Sequence, residues 1–240
     1  MRWLPARFPP ALGVGLALVL ALAAGAIGPR SAFASGTTAS GNRAPADGPV
    51  TIDSLLARFR GVVGLSARFH EEKHIAMLAQ PLVSEGTVHY APPGKIARHT
   101  LTPSASSVVL DGTTLRFGDA TSERSIDTGT SPIVRAFVDS FLAVLAGDRA
   151  ALERSFVLDF HTPAGGQGGS QQKWELGLTP RDASLAHIIR EIRFSGDGLV
   201  LSQMRIREAT GDEGITTFSD VDTAHHYSPA EADRVFRLSP

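Results

Sequence analysis

Residues 65–74 read LSARFHEEKH, and the conformation of this decapeptide decides the architecture of the chain. Its second half, His70 to His74, spells H-E-x-x-H, the pattern by which one helical turn offers two imidazoles to zinc and a glutamate to the attacking water. That chemistry needs a helix, because i, i+4 spacing on a helix stacks both rings on one side of a metal. A helix here lacks a buried face, since five polar residues in a row follow Phe69. The residues before it alternate, with Ala67, Phe69 and Glu71 on one side and Arg68, His70 and Glu72 on the other. A period of two predicts an exposed strand over 65–73, on which His70 and His74 lie two pleats apart and Glu71 faces away from them. The competing reading is a secreted zinc metallopeptidase that uses HEEKH, with His225 or His226 as a third ligand.

Outward from this stretch, the same period continues. VSEGTVHYA, KIARHTLT, SSVVLDG and TTLRFGD follow as short strands, punctuated by Pro81, by Pro92-Pro93-Gly94, by Pro103 and by Asp111-Gly112. Asp-Gly between two apolar runs predicts a type I′ hairpin, which needs positive φ at both central positions. Upstream, Ile52, Leu55, Leu56, Phe59, Val62 and Val63 obey the i, i+3, i+4, i+7 rule, so VTIDSLLARFRGVV is predicted as an amphipathic helix with one buried stripe. A second helix is predicted from Ser131-Pro132, with Ser as cap, Ile133, Phe137, Phe141 and Val144 as its apolar stripe, and Gly147 as its stop. Asp148 is placed to cap a further short turn. SFVLDFHT, a glycine-rich hairpin tip (GGQGGS, 165–170), QKWELGLTP, HIIREIRFSG, LVLSQMRIREA and ITTFSDV then return to strands. The expected fold is mainly antiparallel β with α: an open half-barrel, a curved sheet of about ten strands, with helices covering its concave face.

The first 34 residues carry Arg2 and Arg7, an apolar run from Ala11 to Ile27, and the small-x-small exit Ala32-Phe33-Ala34, the grammar of a cleaved signal peptide. Residues 35–49 are small, polar and broken by Gly and Pro, a flexible leader, and 50–240 form a single domain. Cleavage leaves 206 of the 240 residues, with 20 of the 23 basic side chains against all 24 acidic ones, a balance that argues against nucleic acid as partner. The chain has no cysteine, which excludes disulfides, thiol catalysis and a lipid-modified N-terminal cysteine. An exported monomer held together by packing alone fits the periplasm of a Gram-negative envelope.

No catalytic constellation emerges: GGQGGS lacks a following Lys-Ser/Thr, the possible carboxylate pair Asp220 and Asp222 has no candidate general acid nearby, and there is no nucleophile elbow. The expectation is accordingly no enzyme, no metal and no cofactor. What stands out is apolar residues alternating along successive strands. Val88, Tyr90, Leu115, Phe117, Trp174, Met204 and Ile206 are the candidates to line a cavity for an apolar ligand, with Phe137 and Phe141 on a helical lid. Alternatively the same residues fill a ligand-free core, and the chain is an envelope interaction domain.

The order of these segments resembles the LolA family of periplasmic lipoprotein carriers. The resemblance rests on the aromatic strand ending in a polar run (Phe69 to Lys73), Gly86-Thr87-Val88-His89-Tyr90, the turn Pro92-Pro93-Gly94, Pro103, VVLDGTTLRF, Trp174 to Pro180, IREIRFSGDGLV and LSQMRIREATGD, over residues 52–220. It implies a lid-covered half-barrel that carries lipoprotein acyl chains, or another membrane lipid, from the inner to the outer membrane. It also implies an ABC-type release complex at the inner membrane and an acceptor at the outer one. In the family an arginine just before the proline of the second turn latches the lid; Pro92 stands there in this chain, and the nearest basic groups are Lys95 and Arg98, so that role is not carried over.

Overall fold

The computed structural model describes residues 50–162, 173–197 and 200–238. The expected signal peptide, the leader and the GGQGGS loop lie outside the described residues.

Thr51 and Ser54 cap each other's backbone in a capping box and start helix α1, Ile52–Arg60, which buries Leu55, Leu56 and Phe59. The helix is shorter than its apolar stripe predicted. It ends at Gly61, so Val62 and Val63 leave the helix, and Val63 is half exposed. Six strands then run in antiparallel succession: β1 (Leu65–His74), β2 (Leu82–Ala91), β3 (Lys95–Thr102), β4 (Ser106–Asp111), β5 (Thr114–Asp119) and β6 (Glu123–Asp127). The last of these escaped the sequence reading because ERSID has one apolar residue; it is an edge strand, and its charges protect that edge from further pairing.

The β4–β5 hairpin turns one residue later than expected. Asp111 pairs with Thr114, so the loop is Gly112-Thr113, with positive φ at Gly112 (60°) but not at Thr113. Glycine at the first central position is the type II′ solution, so Asp111 belongs to the ladder and the expected type I′ turn does not form.

A 3₁₀ turn (Thr128–Thr130) leads into α2, Pro132–Leu145, and α3, Arg149–Ser155. Proline opens α2 as expected, yet Ser131 makes no side-chain capping bond. Gly147 ends this stretch at φ 59°, where a Cβ would meet the Leu56 carbonyl oxygen at 2.1 Å. Asp148 caps α3 through the Ala151 amide. The chain returns to the sheet as β7 (Phe156–His161), β8 (Lys173–Pro180), the one-turn α4 (Ala183–Ala186), β9 (Ile189–Asp197), β10 (Val200–Glu208) and β11 (Glu213–Asp222), and finishes with α5, Pro229–Val235. Neither α4 nor α5 was foreseen from the sequence.

All eleven strands form one open antiparallel sheet in the order β6-β5-β4-β3-β2-β1-β11-β10-β9-β8-β7. The topology explains the lid. Since β1 pairs with β11 in the middle, the outer edges are β6 and β7, and the segment joining them contains α2 and α3. A connection from edge to edge of a curved sheet crosses one face, and Val134, Val138, Val144 and Leu145 of α2 pack there into the same core as the strands. The opposite face of β8–β10 is solvated by a lattice of ion pairs, including Arg193 with Glu175 (2.9 Å) and with Glu191.

Candidate functional site

The inner face is built by alternation. Leu65, Ala67 and Phe69 of β1, Val88 and Tyr90 of β2, Ile96 of β3, Leu115 of β5, Trp174, Leu176 and Leu178 of β8, and Met204 and Ile206 of β10 are all buried in one cluster under the helices. The structure therefore brings together Val88, Tyr90, Leu115, Trp174, Met204 and Ile206, with Phe117 half-buried beside them. The side chains of Phe137 and Phe141, like that of Ile133, fall outside the described residues.

A cleft of about 610 Å³ opens at the rim where α1 meets the end of β11. Leu55, Ala57, Arg58 and Phe59 of α1 form one wall, Gly61 to Val63 its base, and Thr223 and Ala224 the other side. A bridge between Gly64 and Ala224 ties the two sides together. The lining is predominantly apolar, the volume is in the usual range for ligand sites, and Leu55 and Phe59 also belong to the buried core. None of the nine residues singled out from the sequence lines this cleft. The signal that could have found it is the α1 stripe, which runs past the helix end into Val62 and Val63.

The HEEKH stretch is strand throughout, so the i, i+4 stacking that a zinc helix needs is absent from it. His70 and His74 point outward, where His70 bonds Glu85 at 3.0 Å and both imidazoles lie 3.6 Å from Glu72. Among the described residues, no cluster of three or more His, Asp or Glu is arranged to hold a metal ion. His225, offered as a third ligand, instead bonds Glu231 at 3.0 Å.

One expectation for this stretch is corrected. It is not uniformly exposed, because alternation turns Glu71 and Lys73 inward. Lys73, 8% exposed, bonds Glu208 at 2.8 Å. Glu71 accepts from Arg98 (3.1 Å) and from the Thr216 hydroxyl (3.1 Å). Arg98 is 1% exposed, and its guanidinium carbon lies 3.7 Å from the centre of the Phe69 ring. Burial lowers the Arg98 pKa, and Glu71 opposes that shift. Every one of these partners is on a strand, so Arg98 braces β1, β2 and β3 at one end of the inner face. Lys95 is at the surface with Asp111.

The outer face of β3 and β4 is covered by the C-terminal strap. Phe236 packs on Ala97 and Val109. Tyr227 donates its hydroxyl proton to the Leu65 carbonyl, so His89 Nδ1, 3.0 Å away, donates to Tyr227. His99 Nε2 donates to the Val235 carbonyl at 2.8 Å, and its Nδ1 is hydrogen-bonded to the Ser107 hydroxyl at 2.8 Å. Burial, with His99 and His225 nearby, pushes the His89 pKa down to about 4.

Comparison with known proteins places this architecture. The sequence profile of the family described as outer membrane lipoprotein carrier protein LolA-like matches residues 44–235. No curated protein sequence matches the chain. Among solved structures it is similar to a LolA superfamily protein from Nitrosomonas europaea, at 10% identity and a TM-score of 0.41, covering 78% of this chain and 98% of that one. It is similar to MucB at 16% identity and a TM-score of 0.43, covering 78% of this chain and 64% of MucB. The lipoprotein LppX of Mycobacterium tuberculosis matches at 9% identity and a TM-score of 0.37, covering 73% of this chain and 98% of LppX.

Proposed function

The chain belongs to the LolA-like outer membrane lipoprotein carrier protein family, and from that premise we propose that it is a periplasmic carrier that takes up acyl chains of lipoproteins, or of a related membrane lipid. The observation that supports this reading best is the continuity between the 610 Å³ apolar cleft and the core, through Leu55 and Phe59. An acyl chain that enters beside α1 meets the core at Leu55 and Phe59.

The physics requires such a device. Burying a methylene is worth about 0.8 kcal/mol, so a chain of about sixteen carbons leaves a bilayer unaided at a cost on the order of 12 kcal/mol. A cavity that replaces bilayer contacts lowers that barrier without covalent chemistry, and no catalytic group is needed. Delivery then depends on an acceptor that holds the chain more tightly, with an ABC-type donor complex and an outer-membrane acceptor as the partners that the family suggests. Export by the N-terminal signal peptide is part of the same proposal. Among the described residues no helix is long and apolar enough to cross a membrane.

Native mass spectrometry of protein purified from an envelope fraction, with uptake of a fluorescent acyl probe, tests the reading. Bound lipid and saturable uptake are expected. Ala57 is exposed on the wall of the cleft, so Ala57→Trp narrows the entrance at little cost to the fold and should weaken probe binding at least tenfold. Lipid-free protein that takes up no probe overturns the proposal.

A further inference from the structure

Among the described residues seven large apolar side chains are exposed, and five of them gather at one rim of the sheet. Met77 (93% exposed) and Leu78 sit on the β1–β2 loop, Leu82 and Val83 begin β2, and Leu101 (62%) is near the end of β3. Scattered single residues of this kind need no explanation; a cluster does. The stretch from Ile75 to Val83, IAMLAQPLV, contains no ionisable side chain.

The loop is held outward. The Leu78 amide bonds the Ile75 carbonyl at 2.9 Å, and the Ala76 amide bonds Asp212 of the β10–β11 turn at 3.0 Å. Behind the tip the polar character returns at once, with His70, Glu72, His74 and Glu85 on one side of the hairpin and the Lys73–Glu208 pair on the other. The apolar residues also face both ways: Leu82 shares parity with the inner-facing Val88 and Tyr90, while Val83 is on the outer side. A protein partner would contact one side of such a wedge, whereas a bilayer surrounds both.

We propose that the β1–β2 hairpin tip is a membrane-docking wedge, which inserts Met77, Leu78, Leu82 and Val83 into the interfacial layer of a lipid bilayer. Its insertion is driven by apolar burial. The surrounding charges are mixed in sign, so zwitterionic lipid suffices and salt has little effect. This inference goes beyond the carrier reading and does not rest on it, because a wedge can dock a protein that carries nothing.

Sedimentation with phosphatidylcholine vesicles tests it, using the exported protein and its Met77→Asp/Leu78→Asp variant. The wild type should co-sediment within twofold at 0.15 and 0.5 M NaCl, and the variant should bind at least tenfold more weakly with an unchanged thermal midpoint. In a separate Met77→Trp variant the indole emission should shift to the blue on adding vesicles and be quenched by brominated acyl chains. Failure of the wild type to bind, equal binding by the aspartate variant, or binding that requires anionic lipid and disappears at 0.5 M NaCl each overturns the wedge. Acyl-probe uptake measured without vesicles reports on the carrier reading separately, and the aspartate variant should retain it.

Discussion

At the scale of single residues, the most consequential pair is Arg98 and Glu71. A guanidinium at 1% exposure has surrendered its hydration, and its neighbours are one carboxylate, one serine hydroxyl at 3.5 Å and the face of Phe69. Removing one partner leaves the other charge buried and uncompensated, at a cost of about 3–5 kcal/mol. Glu71→Gln should therefore destabilise the protein strongly in urea denaturation. Replacing both partners, as in Arg98→Met with Glu71→Leu, should cost distinctly less than Glu71→Gln alone, because no unpaired charge is left. A double-variant loss equal to the sum of the two single-variant losses would show that the pair is not coupled. Neither residue signalled this role in the sequence: the alternation that turns Glu71 inward and the strand that carries Arg98 were legible, but the reach of Arg98 across β2 to Glu71 was not.

At the scale of elements, the C-terminal strap is held on the sheet by His89 and His99. His89 faces His99, His225, Tyr227 and Thr87, with Glu231 nearby, and its pKa falls from 6.5 to about 4. A depressed histidine is neutral when folded and protonated when unfolded between those values, so its contribution to stability is complete above about 6.5 and is lost as the pH falls toward 4. The surface pair of His70 with Glu85 acts in the opposite sense, raising the His70 pKa, but it is exposed and screened. Hydrogen exchange over residues 225–238 should therefore accelerate between pH 7 and pH 5 more than exchange in β8–β10, once corrected for the intrinsic rate. Uniform protection across that range would refute the clasp. This element was not legible because its five apolar contacts (Tyr227, Ala232, Val235, Phe236 and Leu238) are too few for a periodic signal, and its partners lie on strands far away in sequence.

At the scale of the whole molecule, the two halves of the chain meet at β1 and β11, the centre of the sheet rather than an edge. Deleting residues 213–240 would split the sheet into β1–β6 and β7–β10 and uncover Ala67, Phe69, Met204 and Ile206 together. That truncation should give no cooperative thermal transition, whereas deletion of residues 225–240 should leave a folded sheet of lower stability; far-UV circular dichroism with thermal melting distinguishes them. The same topology places α2 over the inner face, since the chain must cross from the β6 edge to the β7 edge.

What the sequence by itself determined is local. Periods of 2 and 3.6, together with Gly, Pro and Asp at element ends, specify ten of the eleven strands and the helices α1 to α3, and order them so that helices interrupt a meander. Which face is inward follows from the same alternation, so most of the inner-face residues could be named in advance. The tertiary structure decided what depends on proximity across the chain: the pairing of β1 with β11, the burial of Arg98 and Lys73 by carboxylates on other strands, and the strap on the outer face. It also decided where free volume remains. A cleft is the space left between elements after packing, here between α1 and the end of β11, and no residue pattern encodes a gap whose two walls lie more than 150 residues apart.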